Sequence, residues 1–125
     1  MDLGIMDYPK YYPEVPRITA TAALHYFNEG KARFALISYS DKDLIIGGMH
    51  FTEDMPPKIN PNAIPMRPDQ VLITYCPWGP GEGSSARAAS TFIKNGINRP
   101  VYTVIGGVHA MAEAGFIFIT QDSYR

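Results

Sequence analysis

Three stretches of the chain are short, almost wholly apolar runs bounded by polar residues: Phe34-Ala35-Leu36-Ile37-Ser38-Tyr39, Val71-Leu72-Ile73-Thr74-Tyr75 and Val101-Tyr102-Thr103-Val104-Ile105. Runs this short, without a polar residue at every second position, are the pattern of strands covered on both faces, as in a parallel sheet. Elsewhere the apolar period lengthens to that of a helix. Thr19 stands as an N-cap ahead of Ala20, Ala23, Leu24 and Phe27, which share one helical side, and Asn28-Glu29-Gly30 closes the segment. A second helix is predicted from Ser84 to Lys94, ending at Asn95-Gly96, and a third from about Val108 to Ala114, stopped by Gly115. Leu44-Ile45-Ile46, ahead of Gly47-Gly48, reads either as a helical turn or as a short strand. Two buried-type strands joined by a helix make a right-handed βαβ unit and imply a parallel sheet, so the fold class is α/β.

Proline divides the rest of the chain. Residues 1–16 hold Tyr8, Tyr11 and Tyr12 among Pro9, Pro13 and Pro16, a composition suited to an extended arm laid over a surface. The domain proper is expected over 17–125. Between residues 52 and 68, Pro56, Pro57, Pro61, Pro65 and Pro68 leave room for a long loop or isolated turns only.

At 125 residues and 46% hydrophobic, the chain has material for one core. A net charge of −1 without a basic run leaves nothing to track a phosphate backbone or an anionic bilayer, so neither nucleic acid nor membrane is expected as a partner. The opening MDLGIMDYPK lacks the charged-then-apolar build of a signal peptide, and the expected compartment is cytoplasmic. A single cysteine, Cys76, excludes an internal disulfide and a Cys-pair metal site. His25, His50 and His109 have no His-x-x-x-His spacing, so no metal or cofactor is expected. His109 follows Gly106-Gly107, in a loop that a parallel sheet would set beside Cys76, although a structural role is its simpler reading.

The chemistry-bearing segment is Tyr75-Cys76-Pro77-Trp78-Gly79-Pro80-Gly81-Glu82-Gly83-Ser84-Ser85-Ala86-Arg87. Ligands of open α/β sheets bind beyond the carboxyl ends of the strands, where Cys76 falls. Gly79, Gly81 and Gly83 allow the backbone to curl with its amides inward, and the helix that follows brings the positive end of its dipole. Such surroundings stabilise thiolate over thiol, so the expectation is a preformed nucleophile in an anion cradle running from Trp78 through Gly79, Gly81, Glu82, Gly83, Ser84 and Ser85 to Arg87. Trp78 is read as a pocket wall, and Ser84 and Ser85 are most simply N-caps. Against this stands a bland alternative, a cysteine buried at a strand end, since unpaired cysteine is among the most buried residue types.

The run from Val71 to Phe116 resembles the rhodanese-like sulfurtransferases. The likeness lies in the strand ending Tyr75-Cys76, the glycine-bearing loop, Ser85-Ala86-Arg87-Ala88-Ala89, the helix ending Asn95-Gly96, the next strand, Gly106-Gly107 and Ala114-Gly115-Phe116. Upstream, the Thr19 helix and Leu36-Ile37-Ser38-Tyr39-Ser40 with Gly48-Met49-His50 resemble the first half of that family more faintly. Ser38-Tyr39-Ser40 replaces the family's Asp-Val-Arg, and Gly48-Met49-His50-Phe51 stretches its Gly-His-Ile, so that either Met49 or His50 stands at the family's position. Met111 stands where a Trp is common, and Ser85 follows the cysteine three positions later than the family pattern has it.

The resemblance implies a mainly parallel sheet of about five strands with helices on both faces. It also implies a sulfurtransferase in which Cys76 takes sulfane sulfur as a persulfide and passes it to a thiophilic acceptor. The partners would be a small sulfur donor or a persulfide-bearing protein, and a thiol acceptor. Glu82 and the lack of Lys or Arg between Cys76 and Ser84 argue against tight binding of a dianion such as thiosulfate. The alternative is a non-catalytic rhodanese-like module for binding or redox sensing. A thiol phosphatase is disfavoured, because its Cys-x5-Arg clamp is absent and Arg87 lies eleven positions beyond Cys76.

Overall fold

The computed structural model describes residues 11–77 and 80–119; positions 1–10, Trp78, Gly79 and 120–125 lie outside the described residues. The elements in chain order are β1 (Arg17–Ile18), α1 (Ala20–Asn28), β2 (Ala32–Ile37), β3 (Leu44–Ile45), β4 (Met49–Phe51), β5 (Val71–Tyr75), α2 (Gly83–Lys94), β6 (Val101–Val104), α3 (Gly107–Ala114) and β7 (Phe118–Ile119). Five strands form one parallel sheet in the order β1-β6-β5-β2-β4, and β3 pairs antiparallel with β7 outside it. This is the α/β architecture expected, with β5 in the middle of the sheet.

The apolar runs are continuous because each face of the sheet has its own cover. Phe34, Leu36, Ile73, Tyr75 and Val104 pack with Ala20 and Ala23 of α1, Met111 of α3, Ile45 and Phe116. The alternate residues Ala35, Ile37, Leu72 and Val101 pack with Ala88, Ala89 and Phe92 of α2, together with Val15 and Ile64. A strand turns successive side chains to opposite faces, so two covers demand apolar residues at nearly every position. Val15 anchors the end of the expected arm, and Glu14 accepts a hydrogen bond from Ser90 Oγ at 2.9 Å. The proline-rich segment contains the short 3-10 turns Pro56–Lys58 and Pro61–Ala63.

Helix α1 begins as its residues dictate: extended Thr19 accepts the Ala22 N–H on its hydroxyl at 3.1 Å. Strand β2 ends at Ile37, two residues before the apolar run does, because Ser38 Oγ accepts the Ser40 N–H and turns the chain. The ambiguous Leu44-Ile45-Ile46 resolves as strand for Leu44 and Ile45, while Ile46 is exposed. The fastening is the phenol of Tyr75, which donates to the Asp43 carbonyl at 2.7 Å and accepts the Ile45 N–H at 3.3 Å. Burial pushes this phenol above its ordinary range.

Tyr75→Phe keeps the ring and leaves the Asp43 carbonyl and the Ile45 amide without that partner. Urea unfolding of the variant is expected to show a loss of about 1–3 kcal/mol with little change in m.

Candidate functional site: the loop after Cys76

Cys76 follows the central strand directly and is 1% exposed. The pleat that turns Leu72 and Thr74 toward α2, carried two residues further, assigns Cys76 to that same side. Its carbonyl accepts the Val108 N–H at 3.1 Å, so the start of α3 is bonded to the cysteine's own backbone. The expected juxtaposition of the two loops therefore holds. The His109 side chain, however, is turned outward, 83% exposed and 3.3 Å from Glu113 one turn along α3. His50 Nε2 meets the Ser38 carbonyl at 2.8 Å, and His25 is exposed on α1. Among the described residues no group of His, Cys, Asp and Glu could hold a metal ion.

The loop closes through a short 3-10 turn, Pro80–Glu82, and then α2 begins at Gly83. Two consecutive residues turn left-handed there, Gly81 at φ 73° and Glu82 at φ 52°. Glycine takes that conformation without strain, whereas a glutamate needs compensating contacts. Those contacts centre on Arg17 of β1. Its Nε donates to Glu82 Oε1 at 2.9 Å, with the two side chains 6% and 2% exposed. Arg17 also donates to the carbonyls of Gly81 at 2.8 Å, Tyr12 at 2.7 Å and Val15 at 3.1 Å, and to that of Tyr11. Glu82 Oε2 accepts the Gly106 N–H at 3.2 Å, tying the loop to the turn before α3. Gly106 must be glycine, because its φ is 82° and an added Cβ would lie 2.8 Å from Ala110 Cβ.

A second set of bonds fixes the first turn of α2 to the sheet. Thr74 and Thr103 are register partners on adjacent strands, and both are fully buried. Thr74 Oγ1 donates to the Ser85 carbonyl at 2.9 Å, Thr103 Oγ1 donates to Ser85 Oγ at 2.5 Å, and Ser85 Oγ donates to the Glu82 carbonyl at 3.3 Å. A chain of hydroxyls thus runs from the middle of the sheet to the end of the loop.

Several expected roles change in this setting. Glu82 is not a free acidic group beside the site; its carboxylate is buried against Arg17 and Gly106. Ser85 is not an N-cap hydroxyl, because Glu82 occupies that position in a left-handed conformation with no side-chain cap, and Ser85 lies inside the helix. Gly83 is the first helical residue and does not curl the loop, while Ser84 is half-buried in the first turn. Arg87 is exposed on the outer side of α2, so it does not anchor the loop. Gly81 keeps the role expected of a loop glycine, and Trp78 and Gly79 fall outside the described residues.

Arg17 went unnoticed in the sequence because nothing local marks it, its partner being 65 positions away. Thr74 and Thr103 did carry a signal, as polar residues within two otherwise apolar strands. A separate apolar cavity of about 400 Å³, lined by Leu24, Phe27, Ile46, Phe116, Ile117 and Ile119 among others, lies at the far ends of α1 and α3 from this loop. No helix among the described residues is long and apolar enough to cross a membrane.

Arg17→Met removes the partner of a buried carboxylate, and breaking such a pair costs about 3–5 kcal/mol. Denaturant unfolding of the variant is expected to show a loss of that size; a change below about 1 kcal/mol would place the pair among solvent-screened contacts.

No protein-family profile matches the chain, and no curated protein matches it. Solved structures do. A Rhodopseudomonas palustris protein of unknown function, called a possible tyrosine phosphatase, superposes with a TM-score of 0.65 at 21% identity, over 85% of this chain and 86% of that one. A Saccharomyces cerevisiae protein, a homolog of single-domain rhodanese and the Cdc25 phosphatase catalytic domain, gives 0.64 at 13% identity over 91% and 94%. A Bacillus halodurans protein gives 0.62 at 20% identity over 81% and 74%. With the parallel sheet, the helices on both faces and the cysteine at the end of the central strand, this likeness shows that the chain has the rhodanese-like fold.

Proposed function

We infer that the chain is a rhodanese-like sulfurtransferase that carries sulfane sulfur on Cys76. The observation that supports this most is the braced turn after Cys76. Its left-handed Gly81-Glu82 corner is held by a buried ion pair and a chain of hydroxyls, an investment in geometry that an ordinary surface loop does not need. Bracing of this kind fixes backbone amides and a helix N-terminus in place before a ligand arrives, which is how a site stabilises an anion without reorganising.

In the first step the Cys76 thiolate attacks the outer sulfur of a persulfide donor, R–S–SH. A new S–S bond forms, the donor's S–S bond breaks, and its electron pair leaves with R–S⁻ while the proton stays on the transferred sulfur. In the second step an acceptor thiolate attacks that sulfur, and Cys76 is released as thiolate. The two steps conserve charge and need no external oxidant.

Phosphoryl transfer is the activity suggested by the name of the R. palustris neighbour, and the side chains here fit it poorly. A thiol phosphatase needs a guanidinium aimed at the phosphoryl oxygens. Arg87 faces solvent, and Arg17 is occupied by Glu82 and four carbonyls. The deep burial of Cys76 favours the other reading, a rhodanese-like module that binds a partner without transferring sulfur.

Inorganic polysulfide separates the two. Intact-mass measurement of the carrier should show one added sulfur atom, absent from Cys76→Ser and removed by cyanide as thiocyanate. A parent protein that stays unmodified, with Cys76 still open to alkylation after denaturation, would leave the binding module as the better account.

A further inference from the structure

We propose that Glu82 is a specificity determinant: by neutralising Arg17 inside the loop, it closes the site to dianionic sulfur donors and selects organic persulfides that carry at most one charge. The inference rests on the sulfur-carrier reading of Cys76 and goes beyond it to the class of donor.

A site that loads sulfur from thiosulfate must hold two negative charges beside a thiolate, and this takes an uncompensated cation near the cysteine. Among the described residues, the cation bonded to the loop is Arg17, through Gly81 and Glu82. Its charge is matched inside the protein by a carboxylate 2.9 Å away, both side chains being almost inaccessible to water. Buried charges are poorly screened by salt, so the match is local and persistent. Arg87, the first arginine after the loop, is exposed on the outer side of α2. The described end of the loop, Pro80–Glu82, together with Arg17 therefore adds no net side-chain charge that could hold a second negative charge.

The rim agrees with this. Register pairing of Leu36 with Tyr75 sets the end of β2 beside Cys76, and Tyr39 beyond it is 75% exposed. Ile105, directly after β6 on the other side, is 38% exposed, and the Tyr11 ring lies against the start of α2 at Gly83. These side chains offer apolar and aromatic surface to the organic part of a donor and carry no cation for an inorganic dianion.

With thiosulfate the balanced step is attack of the Cys76 thiolate on the outer sulfur, with the S–S bond breaking and its electron pair leaving as sulfite. With 2-hydroxyethyl persulfide the leaving group is 2-mercaptoethanol thiolate. The experiment compares rate constants for sulfur loading by these two donors in the parent and in Glu82→Gln, read by intact mass. The parent is expected to favour the persulfide, and Glu82→Gln, which leaves the Arg17 charge uncompensated, to shift the ratio toward thiosulfate by roughly tenfold or more.

An unchanged ratio in a folded variant would overturn the proposal. If the variant does not fold, the ionic-strength dependence of the parent decides: thiosulfate loading that stays level or rises with salt supports a loop with no net cation, and loading that falls with salt contradicts it. Failure of Cys76 to take sulfur even from polysulfide would instead remove the carrier reading, and this inference with it.

Discussion

The buried pair between Arg17 and Glu82 is the constraint on which the site's shape depends. A buried ion pair is not by itself a source of stability, since desolvating two charges costs about as much as their attraction returns. What it supplies here is position. One guanidinium gathers the carbonyls of Tyr11, Tyr12, Val15 and Gly81 and the carboxylate of Glu82, so the lead-in to β1, the end of the cysteine loop and the start of α2 meet at a single side chain. Glu82 extends the tie to Gly106, and the amide of Val108 completes it at the Cys76 carbonyl. The left-handed backbone at Glu82, costly for a glutamate in isolation, is held by these same bonds.

Beneath this junction the sheet supplies a second, neutral brace. Thr74 and Thr103 place hydroxyls at the middle of the sheet, where apolar side chains would pack as well, and direct them at Ser85. Fully satisfied buried polar groups of this kind stiffen a structure and fix one arrangement among several. The first turn of α2 thus cannot slide along the sheet without breaking the hydroxyl chain that ends on the Glu82 carbonyl. Charge and hydroxyls together fix the Gly81-Glu82 corner and the first turn of α2 on the sheet.

The sheet and its helices were legible because their determinants are local. Continuous apolar runs announced β2, β5 and β6; Thr19 announced α1; Gly115 ended α3 as expected. The cysteine was placed correctly at a strand's carboxyl end, beside the turn before α3. What the residues did not disclose was pairing across distance. Glu82 looked like an exposed acid next to a site, and its true setting depends on an arginine 65 positions earlier. Ser85 looked like a cap because serine before a helix often is one, yet the helix already starts at Gly83 after the left-handed Glu82, which carries Ser85 into its first turn. Arg87, conspicuous near the loop in sequence, faces outward because α2 buries Ala86, Ala88 and Ala89 instead.

The proposed sulfur-carrier role requires that folding turn Cys76 from an ordinary thiol into a presented nucleophile. The most direct measurement is the rate of Cys76 alkylation by uncharged iodoacetamide at neutral pH, in the native protein and in the same protein unfolded in urea. If the braced loop prepares the thiol for attack, the native protein reacts faster than the unfolded chain despite the 1% exposure of Cys76. Slower reaction in the native state would mean that Cys76 is a buried core residue and that the bracing around it serves the fold alone.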